Sequence, residues 1–263
     1  MCVMILAAVS VPALAAEEYP EVNIYIDGEY MELNVTAKLV NGTTYVPLRA
    51  LGDALGATEI GWDNGTALVT ADDLYVEAVI GSHYMVANDR YLYSPNPIRL
   101  INNSTMVPVR PFVAAFDGEV EWEGSTLSVY ITTGSGAITP GDEYYGSDDL
   151  YWLSRIIHAE ASNESMLGKI AVGNVIMNRV VSDYYPDSIY DVIFDFDNGI
   201  QFTPAYTGAV YCTPSDDSIL AAKVAMEGYN VAGDSLFFTS IKDCWAAYNR
   251  PYVMTIGGHD FYA

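Results

Sequence analysis

The chain has 263 residues, 51% apolar and 17% charged, enough for one or two domains with real cores and too apolar for intrinsic disorder. Its 34 acidic against 11 basic residues give a formal charge of -23, which repels nucleic acid and anionic membrane surfaces, and no apolar run of about 18 residues exists to span a bilayer. The acids are shared evenly: residues 17–139 hold 17 acids and 5 bases, residues 140–263 hold 17 and 6, so the chain reads as two acidic halves. At the N-terminus an apolar stretch, Val3 to Ala16, closes on the small residues Ala13-Leu14-Ala15 and then turns acidic. Residues 1–16 therefore read as a secretory signal peptide, without the usual Lys or Arg ahead of the apolar run. The mature protein is expected to be secreted or held at the cell envelope. Cys2 would leave with the leader, and Cys212 and Cys244 then either close a disulfide or remain two buried thiols.

The next segment repeats itself. Tyr45-Val46-Pro47-Leu48-Arg49 returns 61 positions later as Met106-Val107-Pro108-Val109-Arg110. Each copy continues into a short helical stretch (Ala50 to Leu55, Pro111 to Phe116), a Trp followed by an acid (Trp62-Asp63, Trp122-Glu123) and a β-rich run (Thr66 to Thr70, Thr126 to Thr132). Alternating strands, Val22 to Ile26 and Leu74 to Ile80, precede the copies, and Asp27-Gly28 signals a hairpin. Arg49 and Arg110, at equivalent places, are expected to hold each unit together through a carboxylate, with ligand binding as the other reading. The doubled VPxR unit with its Trp partners resembles the copper amine oxidase N-terminal-like domain over about residues 20–133. The resemblance implies a small α+β module, here residues 17–133, serving envelope attachment or spacing. Copper would need a cluster of imidazole or sulfur ligands, and this half offers only His83, read as a loop or strand-edge histidine. Neither a metal nor another cofactor is expected.

Residues 134–147, rich in Gly, Ser, Thr and Pro, interrupt all periodicity and read as a linker, with the boundary near Pro140. Residues 148–263 form the second domain, mainly helical with short β segments, so the whole chain is α+β. Ser147 is expected to cap a helix that opens with Asp148-Asp149 and runs to about Ala161. With Leu150 at zero and about 100° per residue, Ile156 falls near 240°, Ile157 near 340° and Glu160 near 280°, so Glu160 lies in the apolar face. Burial and the negative helix end both raise a carboxyl's pKa there, which is how a general acid is made. The other reading pairs Glu160 with Arg155, Arg179 or Arg250. His158 falls at about 80°, too far round for a metal site with Glu160 and His259, and HAEA lacks the second His of a zinc-protease helix.

A second helix, Glu164 to Ser182, is apolar nearly all round and belongs in a core. Its Asn174 and Asn178 either orient Glu160 and contact substrate or tie helices together. Thr213-Pro214-Ser215-Asp216 reads as a capping box opening a helix that Gly228 ends. Asp195 to Gly199 reads as a turn rather than a calcium loop, and Ser235 to Ser240 and Val253 to Tyr262 as short strands.

These segments, DLYWLSRIIHAEASNE, GKIAVGNVIMNRV, Gln201-Phe202 before Pro204, SLFFTS, Trp245, Arg250-Pro251 and IGGHDFYA, resemble in order the SleB-type cell-wall hydrolase family, the spore-cortex-lytic enzymes of germination. The resemblance implies a lysozyme-like domain that cleaves peptidoglycan glycan strands as a lytic transglycosylase. It assigns catalysis to Glu160, and Asn174, Asn178, Gln201, Phe202, Trp245, Arg250 and His259 are the candidates for substrate binding. Ser162-Asn163-Glu164-Ser165 departs from the family's usual Arg-Gly and Pro in that loop. A muramidase would instead need a second carboxylate, for which Asp183, Asp187, Asp195 and Asp197 are available. A non-catalytic peptidoglycan-binding protein is the reading from another class.

Overall fold

The computed structural model describes residues 19–196 and 200–263. The leader (residues 1–16) and Asp197 to Gly199 of the expected turn lie outside the described residues. The first half runs β1 (Glu21–Ile26), β2 (Glu29–Tyr30), β3 (Ala37–Val40), β4 (Thr43–Pro47), α1 (Leu48–Ala54), β5 (Glu59–Asp63), β6 (Thr66–Ala71), β7 (Leu74–Val79), β8 (Tyr84–Ala87), β9 (Arg90–Tyr93), β10 (Arg99–Ile101), β11 (Ser104–Pro108), α2 (Val109–Ala115), β12 (Glu119–Glu123) and β13 (Ser128–Thr132). One sheet has the order β10-β11-β4-β3-β1-β13-β12 with β2 on β1; the other is the meander β5 to β9.

The repeat explains the centre of the larger sheet. β4 and β11 pair antiparallel so that Val46 faces Val107, its own equivalent, with Tyr45 facing Pro108 and Pro47 facing Met106. The two copies are thus related by a local two-fold axis through that pair. Pro47 and Pro108 stand at the entrance of α1 and α2 with φ of -58° and -56°, where proline's fixed φ starts a helix and its missing N–H costs nothing. Arg49 and Arg110 do hold their units together, but through backbone carbonyls rather than carboxylates: Arg49 donates to Ile60 O at 3.2 Å and Arg110 to Val120 O at 2.8 Å. The strand after each helix presents a carbonyl closer to the guanidinium than any acid.

The second half runs α3 (Gly141–Tyr144), α4 (Ser147–Ala161), α5 (Met166–Val180), α6 (Ile189–Ile193), α7 (Thr203–Thr207), α8 (Asp216–Met226), β14 (Phe237–Thr239), α9 (Trp245–Asn249), β15 (Tyr252–Ile256) and β16 (His259–Tyr262), with β16 between β14 and β15. Helix α5 is buried continuously from Gly168 to Ile176 and packs on α4, α6 and α8. At Gly173 helices α4, α5 and α8 come so close that a Cβ would lie 3.0 Å from Ile157 and 3.1 Å from Ala225. Two caps differ from expectation. Ser147 is the first residue of α4 and caps nothing, because Gly146 turns the chain one residue earlier and accepts the Leu150 amide at 2.9 Å. At α8 the cap is Ser215, whose hydroxyl accepts from Ser218 N, so Thr213 and Pro214 lie ahead of the helix. Cys212 and Cys244 are unbonded, Cys212 exposed and Cys244 half-buried.

The segment read as a linker is packed instead. Ile138 enters the first core, Gly141 N donates to Asn88 O, and Tyr145 is buried where the halves meet. There Arg90 of β9 makes a bidentate pair with Glu227 at 2.6 and 2.9 Å, with side chains only 10% and 5% exposed. The Tyr145 hydroxyl adds a hydrogen bond of 2.5 Å to the same carboxylate, and Tyr93 packs on Tyr229 at 4.3 Å between ring centres. Glycine and proline in that stretch punctuate the chain without freeing it, because apolar and aromatic residues between them find cover on both sides.

Candidate active site

Glu160 sits on the last turn of α4, whose Leu153, Ile156 and Ile157 anchor the helix in the core. Its side chain opens into a cleft of about 1190 Å³ walled by the end of α5, the Tyr184-Tyr185 turn, the approach to α7, β14, α9 and the start of β16. Burial pushes the Glu160 carboxyl up to about 7. None of the three arginines pairs with it. Arg155 lies over the Tyr151 ring, Arg179 donates to Leu236 O, and Arg250 lies over Phe237 and Trp245. The carboxyl is therefore desolvated without a compensating cation, a group that holds its proton near neutral pH and can give it up.

The cleft gathers Gln201, Trp245, Arg250 and His259 around Glu160. Trp245 is 59% exposed, a flat apolar face suited to stacking. His259 is buried edge-on against Phe238, and its place depends on Glu164. The Glu164 carboxylate accepts from Gly258 N at 3.0 Å and stands 4.0 Å from His259 Nδ1. It fits there because the hairpin turn lacks side chains: a Cβ on Gly257 would run into the Glu164 carboxylate. Glu164 thus links the loop after Glu160 to the β15–β16 turn.

Three residues named with the site lie elsewhere. Asn174 bridges Tyr229 O and Val231 N, and Asn178 donates to Gly233 O and Ser235 O, so both amides tie α5 to the loop before β14 and neither lines the cleft. Phe202 is buried behind the wall, against Arg179 and Phe238. His158 accepts from Ser215 N at the start of α8, away from Glu160. Among the described residues Glu160 is the one acidic side chain lining the cleft; Asp183, Asp187 and Asp195 do not line it, and Asp197 lies outside them. No group of three His, Cys, Asp or Glu side chains converges among the described residues.

Arg179, Tyr185, Phe237 and Phe238 also form the wall. Arg179 is buried against the rings of Tyr185, Phe202 and Phe237, with its Nε on Leu236 O at 2.7 Å. In the sequence Arg179 is one of two bases on a mostly apolar helix, Lys169 being the other, and nothing in the pattern sets it apart.

Two family models match the chain, one in each half. Residues 25–131 match the family model of the copper amine oxidase N-terminal domain, and residues 163–262 that of the Cell Wall Hydrolase family. Glu160 stands three residues ahead of the second matched stretch. The chain is 30% identical over 122 residues to a spore cortex-lytic enzyme of Bacillus cereus, covering 44% of this chain and 45% of that protein. It is 26% identical over 147 residues to one from Oceanobacillus iheyensis, covering 55% and 52%. It therefore spans about half the length of these curated relatives. Among solved structures it is similar to the catalytic domain of the germination-specific lytic transglycosylase SleB from Bacillus anthracis, 28% identical, covering 48% of this chain and 100% of that one with a TM-score of 0.42.

Proposed function

We propose that this chain, a Cell Wall Hydrolase domain behind a copper amine oxidase N-terminal domain, cleaves the glycan strands of peptidoglycan between N-acetylmuramic acid and N-acetylglucosamine. The observation that carries the reading is Glu160: one carboxyl without a counter-cation, its pKa raised to about 7 by burial, at the base of an aromatic-lined cleft large enough for several sugars. In the neutral form it donates its proton to the glycosidic oxygen as the bond to the anomeric carbon breaks. The resulting carboxylate then takes the proton of the muramoyl 6-hydroxyl, whose oxygen attacks the anomeric carbon and closes a 1,6-anhydro ring. No water enters the products. A single carboxylate suffices for both steps, whereas a hydrolase places a second one about 5 to 9.5 Å away. The presence of one acidic side chain in the described lining favours the transglycosylase over the muramidase.

Trp245 would carry a sugar face, while Gln201 and His259 border the same groove and offer polar groups to its hydroxyls and amides. The apolar leader would export the protein, and the first half would hold it at the envelope beside its polymer. Digestion of purified peptidoglycan by the protein and its Glu160→Gln variant tests the reading. Soluble muropeptides are expected from the former only; release by both at one rate, or by neither, overturns it.

A further inference from the structure

A second cavity, of about 470 Å³, shares no lining residue with the cleft around Glu160. It lies between the β3–β4 turn and the start of α2, over a floor of Val109, Val120 and Val129, and the second half contributes Tyr229 to its wall. Three aromatic rings border it: Trp122, 38% exposed, and Tyr93 and Tyr229, packed on each other with centres 4.3 Å apart. Hydroxyls interrupt this apolar lining. Thr44 is only 7% exposed, and its hydroxyl, like those of Tyr93 and Tyr229, has no hydrogen-bond partner among the described residues. Asn96 donates to Thr43 Oγ1 at 2.8 Å and, through its backbone amide, to Ser94 Oγ at 3.4 Å, so both oxygens accept from the protein and keep their own protons to give. Arg110 is the one charged residue in the described lining; it donates to Val120 O and forms no ion pair among the described residues.

A buried hydroxyl without a partner is costly, and several around one cavity call for an occupant rich in oxygen. The flat rings call for an apolar face on the same molecule. A pyranose has both: its C–H face stacks on a ring while its oxygens meet the hydroxyls, and an N-acetyl group adds a methyl for the valines and a carbonyl for Arg110. The volume is in the range of small-ligand sites, about 300–1,000 Å³, with room for a disaccharide. We propose that this cavity is a second, non-catalytic glycan site that binds an N-acetylated disaccharide, one sugar stacked on Trp122; the choice of an amino sugar rests on the glycan-cleaving reading. Because Trp122 belongs to the first half and Tyr229 to the cleaving half, the site is complete only in the joined chain. A strand held there raises the concentration of glycan around the cleft.

The test uses the full-length protein with Glu160→Gln, labelled with fluorotryptophan, so that fluorine NMR resolves its four tryptophans, Trp62, Trp122, Trp152 and Trp245, each assigned by its Phe variant. Titration with N,N′-diacetylchitobiose should move the Trp122 resonance saturably and leave Trp62, its repeat equivalent outside the cavity, unmoved. Thr44→Val and Tyr229→Phe each remove a hydroxyl at nearly constant shape and should weaken that binding about fivefold. In the otherwise wild-type protein, Trp122→Ala should lower cleavage of intact sacculi several-fold and leave kcat/KM on short soluble strands unchanged. A Trp122 resonance that does not move overturns the second site whatever Trp245 does, and so does one moved by a proline-rich peptide but not by the disaccharide. Binding unaffected by both hydroxyl deletions, or an equal loss of cleavage on both substrates, also overturns it. Cleavage by the wild-type protein, measured in parallel, tests the glycan-cleaving reading separately.

Discussion

Replacing Glu160 with Gln keeps the shape and removes both the transferable proton and the charge, so it should separate activity from stability. Burial raises the folded-state pKa from 4.5 to about 7. At about 1.36 kcal/mol per unit, that shift corresponds to about 3 kcal/mol. The sign follows from proton counting. Between pH 4.5 and 7 the folded protein keeps the proton that the unfolded chain releases, so this site's contribution is fully present below pH 4.5 and is lost as pH rises through 7. Glutamine does not titrate. In urea unfolding the variant and the parent should therefore be almost equally stable near pH 4, and the variant more stable by about 3 kcal/mol near pH 8. Other titrating groups are common to both proteins and cancel in the difference. Glycan cleavage by the variant should fall by about 10²- to 10⁴-fold at the same time. A stability difference that does not change with pH would refute the desolvated, unpaired carboxyl, and undiminished cleavage would refute its role as the acid.

The same titration sets the pH profile: kcat/KM should fall about tenfold per unit above pH 7, and a limb placed near the ordinary carboxylate pKa would contradict the burial of Glu160. Asn174→Ala strands Tyr229 O and Val231 N in a buried loop contact and should cost about 2–4 kcal/mol by denaturant unfolding, with KM unchanged; a raised KM at full stability would restore it to the substrate site. Gly257→Ala drives a methyl into the Glu164 carboxylate at φ of +59°, so cleavage and melting temperature should drop together, and a neutral outcome would deny the turn its role in placing His259. Glu227→Ala leaves Arg90 buried and uncompensated and should destabilise the protein by about 3–5 kcal/mol in thermal or urea unfolding; an effect below about 1 kcal/mol would mean that the halves are held by the tyrosines alone.

The pattern that was legible in the sequence was local and periodic. The 61-residue repeat located β4, β11 and the helices after them, and the helical wheel put Glu160 on the buried face of α4, where the structure has it. What the pattern did not contain was pairing across space. Asn174 and Asn178 share a face with apolar neighbours, which says that they are covered but not by what, and the cover is a loop more than 50 residues later. Arg90 and Glu227 are 137 positions apart, each unremarkable among its neighbours, and only the fold makes them a buried pair. The segment 134–147 misled for a related reason: composition reports how a chain bends, whereas Ile138 and Tyr145 decide that it stays attached. The caps of α4 and α8 lie one or two residues from the expected ones because Gly146 turns the chain ahead of Ser147 and the Ser215 hydroxyl, not that of Thr213, accepts the amide of Ser218.

The most direct measurement is mass spectrometry of the fragments released from purified peptidoglycan by the full-length protein. Glu160 acting alone as acid and then base should leave 1,6-anhydromuramoyl ends, with no oxygen from labelled water in the product. Reducing muramic acid ends carrying the label would contradict the single-carboxylate account and require a second acid in the cleft, and the absence of fragments would contradict cleavage itself.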